Sequence, residues 1–121
     1  MKTELGSFLR QLRIKNQQIL KDMAEILGVS SAFLSAVENG KKCMPESWYE
    51  KLRNNYELNE YEMDKLEYAN MLSQHSLSLN LENASESARH LAVSFARCFD
   101  KIDADTNEQI MEMLNKWNRE P

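Results

Sequence analysis

The sequence predicts an all-α chain: five helices, then a short strand, then two C-terminal helices. Three observations carry this. Apolar side chains recur every three or four positions along most of the 121 residues. Only three Gly and two Pro interrupt them. One segment, "SLSLNL" at 76–81, instead alternates polar and apolar, the period of a strand.

Taken in order, Leu5, Phe8, Leu9 and Leu12 place the first helix over 4–16. "NQQ" is a polar break. "ILKDMAEIL" supplies Met23, Ala24, Ile26 and Leu27 for a short second helix. Gly28 is its natural stop, because a left-handed residue after a helix costs glycine little. Ser30 or Ser31 can cap the third helix by accepting a backbone N–H. Phe33, Leu34 and Val37 form its apolar set, and Asn39-Gly40 ends it. After Pro45, "ESWYEKLRNNY" opens a fourth helix with Trp48 and Leu52 inward. A fifth follows with Met63, Leu66 and Ala69 on one stripe, extended by Met71 or Leu72. Asn59 and Glu62 form its capping box. Beyond the strand, Ala88, Leu91, Ala92, Phe95, Phe99 and Ile102 mark a sixth helix, with Cys98 in its core stripe. Ile110, Leu114 and Trp117 mark a seventh, capped by Asp105 with Glu108 three residues on.

The formal net charge of -4 conceals an asymmetry. Residues 1–56 hold nine Lys and Arg against six Asp and Glu; the remainder holds six against thirteen. A basic first part and an acidic second part imply two tasks, divided here as 1–75 and 76–121. A hydrophobic fraction of 42% and a charged fraction of 28% are ordinary for a globular protein. A chain of this size can bury a modest core without disulfides or metal. Cys43 and Cys98 form no CxxC, and no signal peptide is read, so a reducing cytoplasm is expected. No apolar run approaches the roughly 18 residues of a membrane span.

Catalytic and metal-binding patterns are not found. His75 and His90 read as helix-surface histidines with no partner at ligand spacing. Cys43 follows Lys41-Lys42, which could favour a thiolate, but a lone cysteine is the simpler account. There is no glycine-rich phosphate loop and no G-x-S-x-G. The expectation is a protein that is not an enzyme and carries no metal or cofactor.

The pair of helices around Gly28 has the shape that reads DNA. In such a pair the first helix lies across the phosphate backbone and the second enters the major groove. Ala24 lets the two approach, Gly28 makes the turn, and Val29 and Leu34 fill the wedge. On "LRQLR…DMAEILGVSSAFLSAVENGKK…P", over residues 4–58, the sequence resembles the phage-repressor and Cro-like (XRE-type) helix-turn-helix regulators. More narrowly, the string through "MPESW" and the later "LAVSFARCF" resemble a bacterial subgroup of small stand-alone regulators.

The resemblance implies a repressor-like DNA-binding domain and assigns roles. Ser31, Ala32, Ser35 and Ala36 take the base-facing positions. Asn39 and Lys41 take phosphate-facing ones, and Glu38 with Arg10 takes the place of an ion pair between the third and first helices. Lys15, Lys21 and Lys42 join the phosphate set by charge and position, and Asn16, Gln17 or Gln18 offers a polar contact beside them. Two departures stand out. Ile19 and Leu20 occupy the place of a capping Thr or Ser and a phosphate-contacting Gln. The reading face is bland: Ser pairs with almost any base, and Ala can only touch a thymine methyl.

The function expected is a cytoplasmic, nucleoid-associated, sequence-specific transcriptional regulator that binds double-stranded operator DNA. It is expected to act as a homodimeric repressor by occlusion, with 1–75 as the DNA-binding domain and the acidic 76–121 as the dimerisation or partner region. The alternative is an antitoxin, or an immunity regulator of a mobile element, that also binds a toxin or protease partner. No membrane role is expected. The strand at 76–81 is expected to pair across the dimer axis or dock on the last helices.

Overall fold

The computed structural model describes residues 3–118. Their order is α1 (Glu4–Lys15), α2 (Leu20–Leu27), α3 (Ser31–Glu38), α4 (Trp48–Tyr56), α5 (Glu60–Leu72), α6 (Glu86–Cys98), a 3-10 turn (Phe99–Lys101) and α7 (Ala104–Asn115). The chain divides after His75 into two units.

In the first unit each helix contributes one apolar stripe. Leu5, Leu9 and Leu12 of α1 meet Met23, Ala24 and Leu27 of α2 and Leu34 and Val37 of α3. Trp48 and Leu52 of α4 and Leu66 of α5 close the core, and Phe33 meets Trp48 edge-on at 6.0 Å. Fully burying one such leucine is worth about 1.5–3 kcal/mol. Met71 and Leu72 extend past this core and are exposed.

Polar contacts fix the helix ends. The Thr3 hydroxyl caps α1 by accepting from the Gly6 N–H at 3.0 Å. It also donates to the Glu38 carbonyl at 2.9 Å, as does the Thr3 N–H at 3.1 Å. The start of α1 is thereby tied to the end of α3. The Leu5 N–H donates to Ser73 Oγ at 3.1 Å, tying α1 to the end of α5. Asn59 and Glu62 form the full capping box on α5, at 2.8 and 2.9 Å.

One assignment moves by three positions. The partner of Glu38 is Arg13, not Arg10. Arg13 lies one turn beyond Leu9 on the buried stripe of α1, whereas Arg10 faces solvent. Arg13 Nη1 donates to Glu38 Oε2, and Nη2 to Oε1 at 3.2 Å. The two residues are only 8% and 6% exposed.

The second unit holds α6, the 3-10 turn and α7. Ser85 caps α6 by accepting from the Ala88 N–H at 3.1 Å. Asp103 caps α7 by accepting from Thr106 N–H at 2.8 Å. The cap is therefore Asp103, two residues before the expected Asp105, which lies in the first turn where an acidic group still favours the helix dipole. Residues 76–81 form no strand. A lone alternating segment has no second edge to satisfy its backbone, and Leu77 and Leu79 stay exposed. Cys98 is exposed rather than in a core, because no described residue of this unit is buried.

Candidate nucleic-acid interface

The α2–turn–α3 element is built from the backbone up. At the start of α2, Ile19 has no side-chain acceptor to offer the orphan donors of the first turn. Asp22 serves in one direction only, accepting from the Ile19 N–H at 2.8 Å. At its end Gly28 takes φ 72°, the left-handed conformation the sequence implied. Lys51 of α4 reaches across and donates from Nζ to the Leu27 carbonyl at 3.0 Å. A cation at a helix C-terminus satisfies both the orphan carbonyl and the dipole. Of the two candidate caps for α3, Ser30 acts: its Oγ accepts from the Phe33 N–H at 3.0 Å.

Leu34, Val37 and Glu38 face the core, which turns the opposite side of α3 outward. On that side lie Ser31, Ala32, Ser35 and Ala36, two positions per turn at i, i+1, i+4 and i+5. Ala32 is exposed and the other three are half-buried. The structure thus gathers all four expected base-facing residues on one face. Ser35 Oγ already accepts from Asn39 Nδ2 at 3.4 Å, a long bond that a better acceptor could displace. Asn39 is the C-cap of α3, and after Gly40 (φ 78°) the chain folds back. The Lys41 and Lys42 N–H groups bond to the Ala36 carbonyl at 2.8 and 3.3 Å. This anchors the two backbones while both side chains remain exposed.

Gln18 and Lys21 lie beside the start of α2. The Tyr56 hydroxyl donates to Gln18 Oε1 at 2.6 Å. That bond fixes the amide and leaves its NH2 group to donate elsewhere. Burial pushes the Tyr56 phenol above its usual range, with Arg13 opposing and Asp22 adding to the rise. Lys21 is exposed.

The electrostatics are narrower than the sequence count suggests. Arg13 is neutralised by Glu38, and Lys51 is engaged by α2. Lys15 lies 4.0 Å from Glu62, an exposed pair worth about 0–1 kcal/mol. Of the cations expected to hold phosphate, Lys21, Lys41 and Lys42 are exposed and take part in none of these contacts. Acidic groups collect elsewhere: α5 carries Glu60, Glu62, Asp64 and Glu67 against Lys65. Tyr49 feels them. Burial chiefly raises its pKa, its hydrogen bond from Asn70 at 2.8 Å opposes the rise, and Glu67 and Glu46 add to it.

Sequence reasoning missed Arg13, Lys51 and Tyr56. The signal for Arg13 was present in its place on the Leu5–Leu9–Leu12 stripe. Lys51 and Tyr56 act across tertiary contacts, which periodicity does not encode.

Residues 4–66 match the family model described as "Helix-turn-helix domain". No curated protein and no solved structure matches the chain. Among the described residues, no helix is long and apolar enough to cross a membrane.

Proposed function

Because the chain belongs to the helix-turn-helix domain family, we propose that it is a transcriptional regulator of the XRE type that binds operator DNA as a homodimer and represses by occlusion. The observation that supports this reading best is the outward face of α3. Four small side chains that the core does not use lie together there, with exposed Lys41 and Lys42 at the end of the same helix. An α-helix with its side chains is about 10–12 Å across, and the B-DNA major groove is about 12 Å wide.

In this reading Ser31, Ala32, Ser35 and Ala36 face base edges. Gln18, Lys21, Asn39, Lys41 and Lys42 hold phosphates. Small side chains let the helix approach closely but make no bidentate base contacts of about 1–3 kcal/mol each. Discrimination then rests on thymine methyl contacts, DNA shape and the pairing of two half-sites about 34 Å apart. The acidic α5 helps to set which face approaches the duplex.

The test is selection from a random DNA library with the purified chain, followed by a gel shift at stated salt. A palindromic site with half-sites one helical turn apart is the expected product. Absence of any shift at low salt would refute the reading.

A further inference from the structure

We propose that α6 and α7 form the dimer interface, with α6 of one copy laid against α7 of the second. The inference rests on the dimeric reading above and names the surface that makes the dimer.

No described residue of 76–118 is buried, yet both helices carry an apolar stripe. On α6 and the turn after it, Leu91, Phe95 and Phe99 are 69%, 47% and 55% exposed. On α7 and just beyond it, Met113, Leu114 and Trp117 are 69%, 44% and 80% exposed. Phe95 and Phe99 stack one turn apart at 5.9 Å, so the aromatic surface is continuous. The two helices of one chain do not cover one another, because both stripes remain open. Helices of 13 and 12 residues are marginal in water without a packed face.

Area and charge point to a second copy as the cover. Six large side chains between 44% and 80% exposed offer roughly 600 Å² per copy, near the ~800 Å² per partner of a standard interface. Residues 86–102 carry Arg89, Arg97 and Lys101 against Glu86 and Asp100, a net charge of +1. Residues 103–118 carry Asp103, Asp105, Glu108 and Glu112 against Lys116, a net charge of −3. Pairing α7 with α7 would juxtapose two acidic helices. Pairing α6 with the partner's α7 brings opposite charges together twice across the two-fold axis.

Size-exclusion chromatography with light scattering on the full chain tests this. One variant is Arg97→Glu/Lys101→Glu and the other Glu108→Lys/Glu112→Lys; all four positions are exposed and none is a helix cap. The unaltered chain is expected at twice 14.1 kDa at tens of micromolar. Each variant alone should lose about tenfold or more in dimer affinity, and an equimolar mixture should recover the dimer, because only the mixed pair restores both contacts. A monomeric unaltered chain would overturn the inference. So would two variants that stay dimeric, or a mixture that does not recover. A gel shift on a half-site separates the two proposals: a monomeric unaltered chain that still shifts DNA would sink this interface and leave DNA binding standing.

Discussion

Removing either member of the Arg13–Glu38 pair should be the most damaging single change in the first unit. Both residues are almost fully buried, and the guanidinium and carboxylate meet through two hydrogen bonds. Arg13 Nη1 also reaches the Met23 sulfur at 3.4 Å, and the Glu38 carbonyl holds Thr3. Arg13→Met leaves a carboxylate buried without its counter-charge, and Glu38→Gln leaves a buried guanidinium in the same state. Breaking a buried pair from one side costs about 3–5 kcal/mol. A unit of some 70 residues has a stability of roughly 4–11 kcal/mol, so either change removes a large share of it. The double change Arg13→Met/Glu38→Leu takes both charges out together and should cost under about 1 kcal/mol, or stabilise. Urea unfolding followed by helical circular dichroism measures all three against the parent. At a slope of about 1–3 kcal/mol per molar urea, each single variant should shift its midpoint down by at least about 1 M. Single variants within about 1 kcal/mol of the parent would refute the reasoning. A double variant that loses the sum of the two singles would refute it equally.

Three further outcomes are expected. Ala at Gly28 places its Cβ 3.7 Å from Lys51 Nζ, an ordinary contact, and meets only the left-handed backbone penalty of about 1–2 kcal/mol. Ala at Gly40 meets the same penalty and also sits 3.0 Å from Thr3 Cγ2, so thermal melting should rank Gly40→Ala below Gly28→Ala. In a salt titration of operator binding, Lys41→Ala/Lys42→Ala should flatten the log–log slope by about 1.8, at about 0.9 per phosphate lost. Ser31→Ala should change affinity little, and the reverse ranking would show that direct base readout dominates. Burial holds the Tyr49 and Tyr56 phenols above the ordinary 10.0. A raised folded pKa means that the stability they supply is complete below pH 10.0 and is lost as pH rises through their folded values. Tyrosinate absorbance should show a late alkaline phase that shrinks in Tyr49→Phe and in Tyr56→Phe; unchanged curves would contradict the assignment.

The helix-turn-helix was legible because local signals agree there. Gly28 needs a left-handed stop, Ser30 a cap, and Leu34 and Val37 an inward face, and each is met within a few residues in sequence. The Asn59–Glu62 box was legible for the same reason. Failures came where the deciding partner is remote. The alternation at 76–81 is a strand's pattern, but a strand exists only when another edge pairs with it. Cys98 sits on an apolar stripe, and a stripe means core only when something covers it. Arg10 and Arg13 differ by three residues on one helix, and only the packing of α1 decides which guanidinium turns inward. Which residues share the outward face of α3 was legible, since helical geometry fixes it. Gln18 differs: the tether from Tyr56 that orients it spans 38 residues.

The bond from Lys51 to the Leu27 carbonyl makes the end of α2 a tertiary structure rather than a local one. A helix terminus held only by its own turn frays alone. This one is held by a second element as well, through the lysine of α4. The amides around Gly28 should therefore exchange their hydrogens more slowly than those of a loop held by its own turn alone. In the docking proposed above, that rigidity has value. α3 arrives already oriented, and less ordering entropy is lost when it docks.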